Sequence, residues 1–286
     1  MLKTHAIIIV FLISVTSIYA QTIQSGNSFT KLWETEPGLK TPESVLYDSI
    51  TGIIYVSNVD GKPSEKDSNG FISMLSSDGK ILKIDWVTGI DAPKGMGILN
   101  NHLFVSNIDE VIEIDIPTAI IVKRYSVKGS KFLNDIAIDI KTGMIFITDS
   151  GTGQVYVLLN GSVNLWLQGE MFNGANGLCL RENILYIGTG NSILQANIKT
   201  GEVLIWMINT GGVDGLFMTS ENKFIYSDWT GSVFLASQRK KPELLLNTSA
   251  LKINAADFGV CLSENRILIP TFTNNKVMCY TSERIK

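Results

Sequence analysis

Six residues that could carry chemistry share one position in a repeated segment: Glu43, Lys94, Asn134, Asn176, Asp214 and Asp257. They lie 51, 40, 42, 38 and 43 residues apart, so only a repeating fold brings them together. All except Lys94 offer an oxygen donor. Carboxylates and amides gathered at one shared level repel one another unless a positive charge sits between them. Hard oxygen donors, with no His or Cys among them, suit Ca²⁺ or another divalent cation of that kind rather than zinc. The Lys94 ammonium offsets only part of the charge of Glu43, Asp214 and Asp257. The plainer alternative is that these side chains cap strand ends and are solvated in an open channel.

The elements beneath these positions are strands. Residues 133–156 (LNDIAIDIKTGMIFITDSGTGQVY) place Ile136, Ile138 and Ile140 on one side of a short strand and turn at Lys141-Thr142-Gly143. They return in a second strand that ends at Asp149. Two-residue alternation broken by a glycine-bearing turn is a hairpin pattern. Similar units begin at Pro42, Pro93, Leu133, Ala175, Val213 and Ala256. Strand-only repeats of about 40 to 50 residues predict an all-β fold, here a six-bladed β-propeller with one blade per repeat. The first strand of each blade then borders the central channel, and the six polar positions form a ring.

Outer strands are legible too. Residues 80–87, 163–168, 202–208 and 243–248 share an apolar pattern with 29–35 (FTKLWET), while the last repeat reaches Lys286 after three strands. Residues 29–35 are therefore expected to complete the sixth blade and close the ring, which protects edges that an open array would expose. A polar insertion at 58–70 accounts for the longest spacing. It is expected to overhang the channel mouth, as a lid over a site or simply as a solvated loop. Asn58, Asn107, Asp149 and Asp228 end second strands and could form an outer ring, although turn chemistry is the preferred explanation. Trp33, Trp166 and Trp206 recur on outer strands and read as packing between blades.

Composition sets further bounds. A net charge of −3, with basic residues dispersed along the chain, gives no electrostatic footprint for nucleic acid. Lys3 and His5 precede the apolar run 6–15, and Ala20 stands before Gln21, the layout of a cleaved secretory signal. The run is about half the roughly 20 residues needed to span a bilayer, so no stable membrane anchor is expected. The expected organisation is a signal peptide at 1–20 and one propeller domain at 21–286, exported to a periplasm or to the exterior. Cys179, Cys261 and Cys279 are too few and too strand-bound for a disulfide framework.

The motifs PES (42–44), LND (133–135), ANG (175–177) and VDG (213–215) resemble those of the senescence-marker-protein/gluconolactonase group of six-bladed propellers; the resemblance spans residues 33–280. It implies a divalent metal, usually Ca²⁺, held by Glu43, Asn176 and Asp214, with Asn134 close to metal and substrate. It also implies hydrolysis of a small-molecule lactone or ester, with Asp214 as the base; Asp257 and Asp149 are further base candidates on the same face. Asn134, Phe132, Lys94 and Asn107 are the candidate substrate contacts. Phe132 stands where sugar-lactone hydrolases of the group carry an arginine, which points to a less polar ligand. The histidine pair of the more distant paraoxonases has no counterpart, because His102 belongs to a turn on the opposite face. A non-catalytic propeller that binds a small ligand or partner protein is the alternative function.

Overall fold

The computed structural model describes residues 29–286, so the signal-peptide reading of 1–20 lies outside it. Six antiparallel four-stranded sheets form the blades of a propeller. Their innermost strands are Pro42–Tyr47, Pro93–Leu99, Leu133–Asp139, Leu178–Arg181, Leu216–Met218 and Gly259–Cys261. The ring closes as expected: Thr30–Glu34 pairs antiparallel with Val277–Thr281 and becomes the outer strand of blade six. Lys276 pairs with Glu34 across this seam, and Thr35 Oγ1 accepts from the Val277 amide at 3.1 Å. Among the described residues no helix is long and apolar enough to cross a membrane.

Alternation explains why each blade needs two neighbours. In the second strand of blade three, Ile145 and Ile147 enter an apolar cluster with blade two, while Phe146 enters one with blade four. Blade five repeats the arrangement, with Phe224 and Tyr226 facing blade four and Ile225 facing blade six. Each of the six joints is filled by such a cluster. Trp166 and Trp206 pack within these joints, Trp206 meeting Phe224 of the next blade edge-on at 4.6 Å. A strand with both faces covered buries two sets of side chains, and each large apolar side chain contributes roughly 1.5–3 kcal/mol when fully covered.

Two devices fix the inner strands. Glycine follows the ring position in blades two, four and five because neighbouring backbone is too close for a side chain: a Cβ on Gly177 would stand 2.1 Å from the Asp214 carbonyl oxygen. Second-strand hydroxyls also reach across to the next blade. Thr148 Oγ1 donates to the Asn176 carbonyl at 2.9 Å, Ser227 Oγ to that of Ala256 at 2.9 Å, and Ser106 Oγ to that of Asn134. Blades one and six join directly, since Asp257 N donates to the Glu43 carbonyl at 3.1 Å and Val45 N to that of Asp257 at 3.2 Å.

Candidate site at the channel mouth

A cavity of about 540 Å³ opens among the ring positions. Glu43, Lys94, Asn134, Asn176 and Asp214 line it together with Phe132, whereas Asp257 and Asn107 do not. The side-chain amide of Asn107 is occupied elsewhere: its oxygen accepts from Ala92 N at 2.8 Å, and its nitrogen donates to Glu110 at 2.9 Å. Asn107 thus shapes the turn before the inner strand of blade two and lies outside the cavity lining. Asn58 and Asp149 do the same work in blades one and three, accepting from Lys40 N and from Lys131 and Phe132 N. His102 pairs with Leu99 at the far end of its hairpin, beside Glu113 at 2.8 Å and away from the mouth.

The buried side-chain oxygens that lack any hydrogen-bond partner among the described residues are Glu43 Oε2, Asn134 Oδ1 and Asn176 Oδ1. Each asparagine has its nitrogen engaged: Asn134 Nδ2 donates to Ser150 Oγ at 3.1 Å and Asn176 Nδ2 to Asp214 Oδ1 at 2.9 Å. These bonds orient the amides and leave the carbonyl oxygens available. Buried polar atoms are nearly always satisfied, so three orphans on the cavity residues ask for a positive partner.

Lys94 is not that partner. The residue is 1% exposed, and its ammonium donates to the carbonyls of Ala92 at 3.0 Å and Pro63 at 3.1 Å and lies 4.3 Å over the Phe132 ring. It belongs to no ion pair among the described residues. Burial pulls it down to about 8, opposed by the charge of Glu43. The carboxylates respond in the opposite sense. Burial first, then the charge of Asp214, holds Glu43 well above the usual carboxylate range. Burial, then the charge of Asp257, pushes Asp214 up to about 8, and burial pushes Asp257 up to about 7 against the Ser44 hydroxyl.

Asp135, one residue beyond the ring, escaped the reading of the repeats. Its carboxylate accepts from Ile136 N and, across the joint, from Leu178 N, both at 2.6 Å. Burial and the charge of Asp257 hold it well above the usual carboxylate range despite those bonds. Among the described residues no three His, Cys, Asp or Glu side chains gather as a metal-binding group; the oxygen set at the cavity depends on its two amides. Oxygen donors of both kinds, three of them unpartnered, fit a hard divalent cation.

The cavity has a second wall that the repeat pattern did not disclose. Pro63 from the long insertion, Val213, Trp229 and Phe272 line it with Phe132. Pro63 confirms that the insertion overhangs the mouth, where Lys66 also pairs with Asp109 of blade two at 2.6 Å. The signal in the sequence was slight: large aromatics in the polar turns DWTG and TFTN, where no alternation marks them.

In overall shape the chain is similar to a catalytically inactive virginiamycin B lyase from Staphylococcus aureus solved with quinupristin. The TM-score is 0.62 at 14% identity, over 88% of this chain and 98% of that one. It is also similar to the WD40 β-propeller domain of Doa1, with a TM-score of 0.59 at 11% identity, over 84% of this chain and 78% of that one. Identities this low show the propeller fold and not an activity. No protein-family model matches the chain, and no curated protein matches it.

Proposed function

We propose that the channel mouth hydrolyses lactones or related esters with a divalent cation, Ca²⁺ by its donor chemistry, as its resemblance to the senescence-marker-protein/gluconolactonase group implies. The observation that carries this reading is the trio of buried, unpartnered oxygens on Glu43, Asn134 and Asn176. Glu43 and Asp214 supply the negative charge that holds the cation, and the two amides complete the set. When bound, the cation polarises a substrate carbonyl and stabilises the charge that develops on its oxygen. Ser150 keeps the Asn134 amide in its orientation, and Asp214 keeps that of Asn176.

Asp214 is the proposed base, its carboxylate taking a proton from the attacking water. One of its oxygens accepts the Asn176 amide and so stays fixed during that transfer. Phe132 stacks on the buried ammonium of Lys94 beside the acids and offers substrate an apolar face. Metal content should be measured on protein purified without chelator, alongside hydrolysis of a lactone and ester panel before and after chelation. Bound calcium and chelator-sensitive turnover are expected; full hydrolysis after chelation sinks the reading.

A non-catalytic, ligand-binding propeller is the second reading, favoured by the buried ammonium of Lys94 at a ring position that an oxygen occupies in every other blade. Saturable binding without turnover across the panel selects it. We also read residues 1–20 as an export signal. A secreted product starting at Gln21 is expected from N-terminal sequencing, and an uncleaved chain retained in the cytosol contradicts it.

A further inference from the structure

Beside the oxygen donors stands a braced aromatic wall. Trp229 is 49% exposed, yet its turn is fixed: Asp228 Oδ1 accepts from Thr230 N at 2.6 Å, and Asn254 Nδ2 donates to the Trp229 carbonyl at 2.9 Å. The same Asn254, buried, holds the neighbouring turn through its oxygen, which accepts from Thr273 Oγ1 at 2.6 Å. That turn presents Phe272, which packs edge-on against Trp229 at 5.6 Å between ring centroids. Phe272 has φ of +45, a left-handed conformation that bulky residues avoid unless the surroundings impose it. Its ring also meets Val59, Ala92 and Ile108, the apolar footing of the long insertion. A single buried amide thus ties together two turns from blades five and six, and both aromatics line the cavity with Phe132, Val213 and Pro63.

An exposed aromatic in a polar turn would ordinarily be free to rotate into solvent. Here hydrogen bonds fix the turn's backbone and the Phe272 ring packs against the indole at the cavity, as in a preorganised binding surface. Among the described residues no arginine lines this cavity, and the ammonium of Lys94 is covered by Phe132 and held by two carbonyls. Asp228 and Thr230 flank Trp229 at the cavity but are bonded to each other through Thr230 N and Oγ1, so the wall itself is mainly apolar.

We propose that the site selects lactones or esters bearing an apolar tail, with Trp229 and Phe272 as the specificity-determining residues that hold that tail and Asn254 as their positioning residue. The proposal rests on the hydrolase reading for the head group but on the aromatic wall alone for the tail. The test is a homologous series of alkyl γ-lactones, with a polyhydroxylated sugar lactone as comparison, measured by calorimetric Kd and separately by kcat/KM. Binding is expected to tighten about threefold to fourfold per added methylene until the cavity is filled, and the sugar lactone to bind more weakly than the longer alkyl compounds. Trp229→Ala should flatten the long end of the series, and Trp229→Phe should restore most of the slope. Since Trp229 is half exposed, a melting curve will show both variants folded. A Kd independent of chain length, or tighter binding of the sugar lactone, overturns the proposal even if hydrolysis is observed. A chain-length slope in binding without turnover leaves it standing while removing the hydrolase reading.

Discussion

At the scale of single residues, the decisive feature is a set of acids gathered at the starts of the inner strands. Glu43, Asp135, Asp214 and Asp257 all titrate above their ordinary range because burial disfavours the charged form, and their charges add to one another. A carboxyl whose pKa is raised in the folded state contributes stability below its unfolded pKa and loses it as pH climbs through the folded value. The window follows from Asp257 at about 7 and Asp214 at about 8. Chelated protein should therefore melt at least about 5 °C lower at pH 8.5 than at pH 5.5, since 1 kcal/mol moves the midpoint of a domain this large by about 2–4 °C. Saturating calcium should erase most of that fall, because the ligands bind metal in their deprotonated form. A flat pH profile under chelation would show that the acids find compensation elsewhere. Asp214→Asn removes one buried charge while keeping shape; in chelator at pH 8.5 it should melt no lower than the parent. The same change should abolish the calcium-induced rise and cut lactone turnover about 100-fold or more, the usual range for losing a general base. Wild-type turnover in this variant would end the assignment of Asp214. The ring residues were legible because repetition marks position without any knowledge of contacts. Asp135 was not, because its partner is a backbone amide in the next blade, and Trp229 and Phe272 sit in turns that obey no period.

At the scale of elements, the seam between the ends of the chain matters most. Removing residues 21–36 takes away the outer strand of blade six and exposes the Val277–Thr281 edge along its length. It also removes Phe29, which stacks on Tyr280 at 6.2 Å within the cluster joining blades five and six. The expected result is a drop in melting temperature of about 10 °C or more, with aggregation through the freed edge; an unchanged melt would mean the strand is ornamental. By contrast, Lys66→Ala should change the melt very little, since an exposed ion pair contributes about 0–1 kcal/mol. The seam could be read from sequence because FTKLWET repeats the outer-strand pattern at the wrong end of the chain. The outer strand of blade two, Ile120–Ser126, could not: Lys123 and Arg124 interrupt its apolar residues, and it carries no tryptophan to mark it.

At the scale of the whole molecule, the proposed donors come from different blades: Glu43 from blade one, Asn134 from blade three, Asn176 from the start of blade four and Asp214 from the start of blade five. Each donor is tied to its own inner strand, and the joints between those strands are separate apolar clusters. Repeat folds are stabilised by nearest-neighbour contacts, so without a common ligand the packing of blades one and five is linked only through the blades between them. A cation bound by all four residues joins non-neighbouring blades directly. Calcium at 100 times its Kd should stabilise the native ring by about 2.7 kcal/mol, a rise of roughly 5–10 °C in melting temperature. The distribution of the effect is more telling than its size. Hydrogen exchange should slow in the inner strands of blades one, three, four and five together, Pro42–Tyr47 and Leu216–Met218 included, although these lie far apart in sequence. A cation held by a single turn would protect only that turn. Protection confined to one blade would thus reduce the ring of acids and amides to a channel lining, whereas protection that skips around the ring requires the donors to share one ion.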